Sequence, residues 1–154
     1  KDHLLPLAHV VTPNIFEAEA LSGVAVRDKE SAILAAERIL DAGAGAVIVK
    51  GGHLDCTDLL ATKETSLFLP GKRVAGENHG VGCTYSAALT AYLASGASLP
   101  QAARRAKRFA EEALSGSMRV GRGVGPVGQA AGLRAEAKSY RAICNVPDAS
   151  DYLL

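Results

Sequence analysis

At 154 residues, 48% hydrophobic and 21% charged, the chain carries enough apolar material for one globular domain with a sizeable core. A formal net charge of +1 gives no global pull toward nucleic acid or an acidic surface. No apolar run reaches the roughly 20 residues that cross a bilayer, and residues 1–11 lack the regions of a signal peptide. Cys56, Cys83 and Cys144 are too widely spaced for a disulfide framework or a CxxC metal site, so the expectation is a cytoplasmic protein with free thiols and no membrane or nucleic-acid partner.

His9-Val10-Val11-Thr12 reads as a short buried strand that Pro13 ends, because proline cannot donate to a ladder. Asn14 then caps a helix over 15–21, which Gly23 closes. Asn14 and Glu17, three residues apart, share one face at the top of that helix. Cap and dipole complement would explain both residues; so would a ligand there.

Asp28 opens a second helix to about residue 42, with Ile33, Ala36, Ile39 and Leu40 at helical spacing and Gly43 as its stop. Ala46-Val47-Ile48-Val49 follows as a β-branched run typical of a strand buried on both faces. Strand, helix, strand implies a right-handed crossover and an α/β sheet, mostly parallel and flanked by helices. Ligands of such sheets bind beyond the carboxyl ends of strands. Lys50 stands at such an end, ahead of Gly51-Gly52 and His53, although a solvated lysine and a hydrogen-bonding loop histidine would fit equally.

Residues 58–61 and 65–69 flank Thr62-Lys63-Glu64 as a hairpin, and Lys72-Arg73-Val74 suggests a further strand. Asp55 and Asp58 could contact a nucleotide or metal, but solvated loop carboxylates are the favoured reading. In Glu77-Asn78-His79-Gly80-Val81-Gly82-Cys83-Thr84 a polar glycine turn runs into an apolar helix that Gly96 stops. Glycines there let backbone N–H groups approach a ligand, and the unpartnered first N–H groups of the helix favour an anion, most plausibly phosphate. Cys83 falls in the helix's first turn, where the positive end favours a thiolate. A plain turn before a helix with a buried cysteine is the alternative.

Ser98-Leu99-Pro100-Gln101 opens another helix, to about residue 114, whose apolar face is Ala102, Ala106, Phe109 and Ala113. Arg104, Arg105, Lys107 and Arg108 read as a solvated face. Residues 116–132 are glycine-rich, by composition either a folded loop or a linker. The division expected is residues 1–132 as the body of the domain and 133–154 as a tail or linker.

Four blocks carry a resemblance: Thr12-Pro13-Asn14-Ile15-Phe16-Glu17-Ala18-Glu19, Lys50-Gly51-Gly52-His53, His79-Gly80-Val81-Gly82-Cys83-Thr84 and Gly123-Val124-Gly125-Pro126-Val127. In order and over roughly residues 1–130, they resemble the hydroxymethylpyrimidine/phosphomethylpyrimidine kinases of thiamine biosynthesis. Those are ribokinase-like enzymes with the Cys-type pyridoxal kinases as close relatives. The resemblance implies a ribokinase-like fold lacking its N-terminal βα units, which supply much of the pyrimidine pocket. It implies Mg-ATP as phosphoryl donor, with Glu17 acting through water on Mg²⁺. Asn14, Lys50, His53 and His79 would lie around the nucleotide. Cys83 would be the base that takes the substrate hydroxyl proton, and Gly80, Val81 and Gly82 would form the anion hole with it. The closing glycine signature would be a folded loop beside the active centre.

The substrate implied is hydroxymethylpyrimidine or its monophosphate; pyridoxal, or ligand binding without turnover, are the alternatives. A hydrolase built on Cys83 and His79 is a third class of reading. This chain departs from the family pattern at Val81 and Asn78, where Thr is usual, and at Glu77, where Asn is frequent. An incomplete sheet would expose an edge or apolar patch, so a homodimer is expected.

Overall fold

The computed structural model describes residues 3–52, 55–74, 78–118 and 121–144. They divide into two compact units, one of the residues up to Arg73 with Leu99–Arg104, the other of Val74–Ser98 with the residues from Arg105 on.

In the first unit a 3₁₀ turn (Leu5–Leu7) leads through an extended segment to α1 (Ile15–Ser22), α2 (Lys29–Asp41), β1 (Val47–Val49), β2 (Asp58–Ala61) and β3 (Ser66–Leu69). Local chemistry sets the helix ends. Asn14 and Glu17 form a reciprocal capping box on α1, and Asp28 and Ser31 form one on α2. Gly23 closes α1 in the left-handed conformation, with φ 75°.

The expected parallel crossover is present. Val11 N–H donates to Ala46 O (2.9 Å), Ile48 N–H to Val11 O (2.7 Å) and Lys50 N–H to Pro13 O (2.8 Å). Pro13 does not end the pairing, because the ladder uses its carbonyl and never needs its missing N–H. The larger ladder departs from the mostly parallel expectation: β1, β2 and β3 pair antiparallel, with Ile48 opposite Leu60 and Leu59 opposite Phe68. The hairpin turn at 62–65, closed by Thr62 N–H on Thr65 O (2.8 Å), is too short to bring the next strand back in the parallel sense.

Every residue of β1 is buried, as its unbroken apolar run implies. Ala32, Ala35, Ala36, Ile39 and Leu40 form the buried face of α2. Residues 70–74 form no regular element, so the strand expected at Lys72-Arg73-Val74 is absent there. Its two adjacent cations offer no apolar face to bury.

The second unit holds β4 (Asn78–His79), α3 (Val81–Ala94), the greater part of α4 (Leu99–Ser115), β5 (Gly125–Pro126) and α5 (Gln129–Cys144). Ala106, Ala110 and Ala113 are buried on α4. Gly128 lies against the end of that helix: its N–H donates to Ala113 O (2.8 Å), and a Cβ on it would stand 2.1 Å from Gly116 O. Between the linker and the folded loop that composition allowed, the segment at 125–128 is the folded loop. Helix α5 runs through position 132, where the sequence reading began the tail; residues 145–154 lie outside the described residues.

Ile48 is wholly buried at the centre of β1. Ile48→Ala should therefore lower unfolding free energy by about 2–5 kcal/mol, read as a reduced urea midpoint at unchanged slope.

Candidate active site

In the first unit the parallel pairing sets Asn14 against Lys50 at the carboxyl end of β1. Asn14 Oδ1 accepts the Glu17 N–H (2.9 Å) while Glu17 Oε2 accepts the Asn14 N–H (2.7 Å). The cap is therefore real. It occupies one carboxylate oxygen of Glu17 and leaves Oε1 without a hydrogen bond among the described residues. Asn14, Glu17 and Lys50 are thus gathered at one strand end, whereas His53 lies outside the described residues.

Asp58 is corrected by the structure. It is not a solvated loop carboxylate but 5% exposed, and its Oδ1 accepts the Gly51 N–H at 2.9 Å. Asp55 is exposed, as expected.

In the second unit β4 and β5 pair in parallel, Asn78 with Gly125 and His79 with Pro126. The closing glycine signature therefore lies directly beside the glycine turn. Gly80 follows at φ 95°, a left-handed conformation that L side chains rarely adopt, and serves as N-cap of α3 without a side-chain cap. Thr84 N–H is the donor that reaches Gly80 O (2.8 Å), so the N–H groups of Val81, Gly82 and Cys83 precede the first intrahelical bond. Cys83 is exposed in that first turn, which removes the buried-hydrophobe alternative. His79 is exposed too, and among the described residues no hydrogen bond joins it to Cys83. Nothing in this arrangement prepares the pair a Cys-His hydrolase needs. Glu77 lies outside the described residues.

With that geometry in place, comparison with known proteins is decisive. The phosphomethylpyrimidine kinase family model matches residues 1–128. The chain belongs to that family. A hydroxymethylpyrimidine/phosphomethylpyrimidine kinase from Rhizobium meliloti is 45% identical over 133 residues, covering 82% of this chain and 50% of the relative. The thiamine biosynthesis bifunctional protein ThiED of Geobacter sulfurreducens is 44% identical over 131 residues, covering 82% of this chain and 27% of that one. Among solved structures, the Staphylococcus aureus pyridoxal kinase in complex with ADP superposes with a TM-score of 0.80 at 43% identity, over 84% of this chain and 49% of that one. An ADP complex of Bacillus subtilis pyridoxal kinase gives 0.80 at 40% identity, over 86% and 52%. The fold is the ribokinase-like α/β fold of these kinases, and the chain spans about half the length of the single-function kinases it matches.

Helix α5 begins at Gln129, one residue past the phosphomethylpyrimidine kinase match, and is tied to the family elements by side chains. Gln129 Nε2 donates to the buried Thr84 Oγ1 at 3.4 Å. Glu136 pairs with Arg105, and with Arg108 at 3.5 Å, while the Arg105 guanidinium lies over the Tyr92 ring at 4.0 Å. Arg105 and Arg108, exposed as the solvated-face reading expects, thus also have a partner that sequence could not show. A cleft of about 560 Å³ runs between these groups and the glycine turn, lined by Gly80, Cys83, Ala87, Phe109 and Leu133.

Burial pushes the Glu136 carboxyl up, but the Arg105 hydrogen bond and charge, with help from Tyr92 and Arg108, hold it below the usual carboxylate range. Burial, then the Glu136 charge, pushes the Tyr92 phenol up. A depressed carboxyl contributes stability that is complete above its unfolded value, about pH 4.3, and is lost as pH falls through the lower folded value. Arg105 is 43% exposed, so the contribution is small. Glu136→Gln should cost about 0.5 kcal/mol at neutral pH, and the cost should shrink as pH falls below about 4, a closing gap that urea titrations at neutral and acid pH would reveal.

Proposed function

We propose that the chain is the nucleotide-binding portion of a cytoplasmic, ATP-dependent kinase that phosphorylates hydroxymethylpyrimidine and its monophosphate in thiamine biosynthesis. The observation that carries this reading is the left-handed Gly80 turn, which opens α3 with leading N–H groups that precede its first intrahelical bond and an exposed Cys83 among them. Residues 1–132 are taken as the kinase portion, and a second copy as the partner for its uncovered surface.

Phosphoryl transfer asks the protein for position and charge compensation more than for covalent chemistry. The second unit's part is the transferring group. Backbone N–H groups of Gly80, Val81, Gly82 and Cys83 hydrogen-bond its equatorial oxygens, and the substrate hydroxyl gives its proton to Cys83 Sγ as its oxygen bonds the γ-phosphorus and ADP leaves. His79, on β4 ahead of the turn, is assigned to the nucleotide. The first unit's part is the nucleotide's charge, with Lys50 as a point charge at the end of β1 and Asn14 beside it. His53 keeps its assignment to the nucleotide.

The residues present fit Mg²⁺ only in its usual nucleotide-borne form. No cluster of three or more His, Cys, Asp or Glu among the described residues could cage a metal ion, whereas Glu17 keeps one carboxylate oxygen for a metal-bound water. When bound with ATP, Mg²⁺ supplies neutralisation of phosphate charge.

The structural neighbours named as pyridoxal kinases, two of them in complexes that contain pyridoxal, favour pyridoxal as the second substrate to test. The decisive assay measures ADP binding and Mg-ATP-dependent phosphorylation of hydroxymethylpyrimidine and pyridoxal by this chain and by a form extended to the length of its relatives, each with and without Cys83→Ala. Transfer is expected of the extended form and should fall by about 10²–10⁴-fold with Cys83→Ala while ADP affinity is kept. ADP binding with transfer to neither alcohol by the extended form would leave a ligand-binding domain, and a folded chain that binds no ADP would remove the kinase reading.

A further inference from the structure

We infer that Asp58 is a positioning residue for Lys50, holding the turn that follows β1 so that the lysine leaves the strand end in a fixed direction. The inference rests on the nucleotide-binding role proposed for Lys50.

Strand β2 is buried along its whole length, with Leu59, Leu60 and Ala61 as its apolar residues and Asp58 at its start. A carboxylate in the remaining position contributes no apolar burial and must be compensated by hydrogen bonds. Its Oδ1 takes the Gly51 N–H, in a bond that is itself buried. Gly51 is the residue directly after Lys50, and Asp58 the residue directly before Leu59, which pairs with Val49. The bond therefore adds a side-chain rung just past the last backbone pair and clasps the base of the connection at 51–57.

Two further features show how closely that base is fitted. A Cβ on Gly51 would lie 1.6 Å from Thr57 O, so the two backbones pass in direct contact and only glycine can stand there. Farther round the connection Asp55 and Cys56 both take positive φ, 48° and 57°, conformations that persist for side-chain-bearing residues only where the surroundings fix them. On its other side Lys50 is held by its own N–H on Pro13 O, in register with Asn14. Asp58 supplies the clamp on the following residue.

The test compares ADP affinity of the wild-type chain with Asp58→Ala, Asp58→Asn, Lys50→Ala and the Asp58→Ala/Lys50→Ala double variant, with folding checked by circular dichroism. Asp58→Ala should weaken ADP by about tenfold, and Asp58→Asn, which keeps the acceptor, should stay within about threefold of wild type. The double variant should bind no more weakly than Lys50→Ala, because a residue acting through Lys50 has nothing left to position. Losses that multiply in full, an Asn variant as weak as the Ala variant, or a Lys50→Ala variant that binds like wild type would each overturn the inference while leaving the kinase reading intact. A folded wild type without ADP affinity would instead overturn the kinase reading and this inference with it. Should Asp58→Ala not fold, Asp58→Ser retains a polar group too short to reach Gly51 and takes its place.

Discussion

Three backbone hydrogen bonds between the segment at 11–13 and residues 46–50 determine which residues meet at the carboxyl end of β1. A parallel ladder fixes register by main-chain geometry alone, and this register places Asn14 opposite Lys50. The capping box then fixes the Glu17 carboxylate on the first turn of α1. Each of these residues has a structural duty, and that duty is what orients it. An Asn that must cap and a Glu that must answer it are already ordered, so a ligand meeting them would pay little side-chain entropy.

The second unit reaches a similar end by a different route. Its turn has little side-chain support: Gly80 caps α3 with backbone only, and the neighbouring strand pair is two residues long. What stabilises the turn is the return of the glycine signature, where Val127 N–H reaches His79 O at 3.4 Å and a Cβ on Gly80 would come within 3.6 Å of the Val127 methyl. The two glycine-containing blocks are forty-odd residues apart in sequence and form one local structure.

Much of this was legible in the sequence because it is local. Caps, stops, the buried run of β1 and the hairpin follow from residue types within a few positions of one another, and the four family blocks pointed to the family to which the chain belongs. Long-range partners were not legible. Asp58 looked like a loop carboxylate because its partner is a backbone N–H seven residues away, made available by a turn no pattern specified. Arg105 and Arg108 are exposed as expected, but their pairing went unseen because Glu136 belongs to a helix beyond the family's pattern. The antiparallel ladder was half visible: the hairpin was read correctly, but its effect on the sheet's overall sense was not drawn. Lys72-Arg73-Val74 failed for the opposite reason, since propensity suggested a strand where there is no apolar face to hold one.

The departures at Val81 and Asn78 bear on how much a backbone-built site depends on its side chains. Replacing a threonine by valine in the turn removes a hydroxyl but leaves the N–H of position 81, and the helix that aims that N–H is formed here regardless. Donors supplied by main chain survive substitution as long as the backbone keeps its path, and the path is set by Gly80, whose φ of 95° suits glycine alone without strain. Selection on such a site should fall on the glycine and on the contacts that bend the chain, while neighbouring side chains are free to retune which alcohol is accepted. The same logic explains why a carboxylate can be kept in the buried strand β2: Asp58 accepts a backbone N–H and so supports the path of the chain at Gly51.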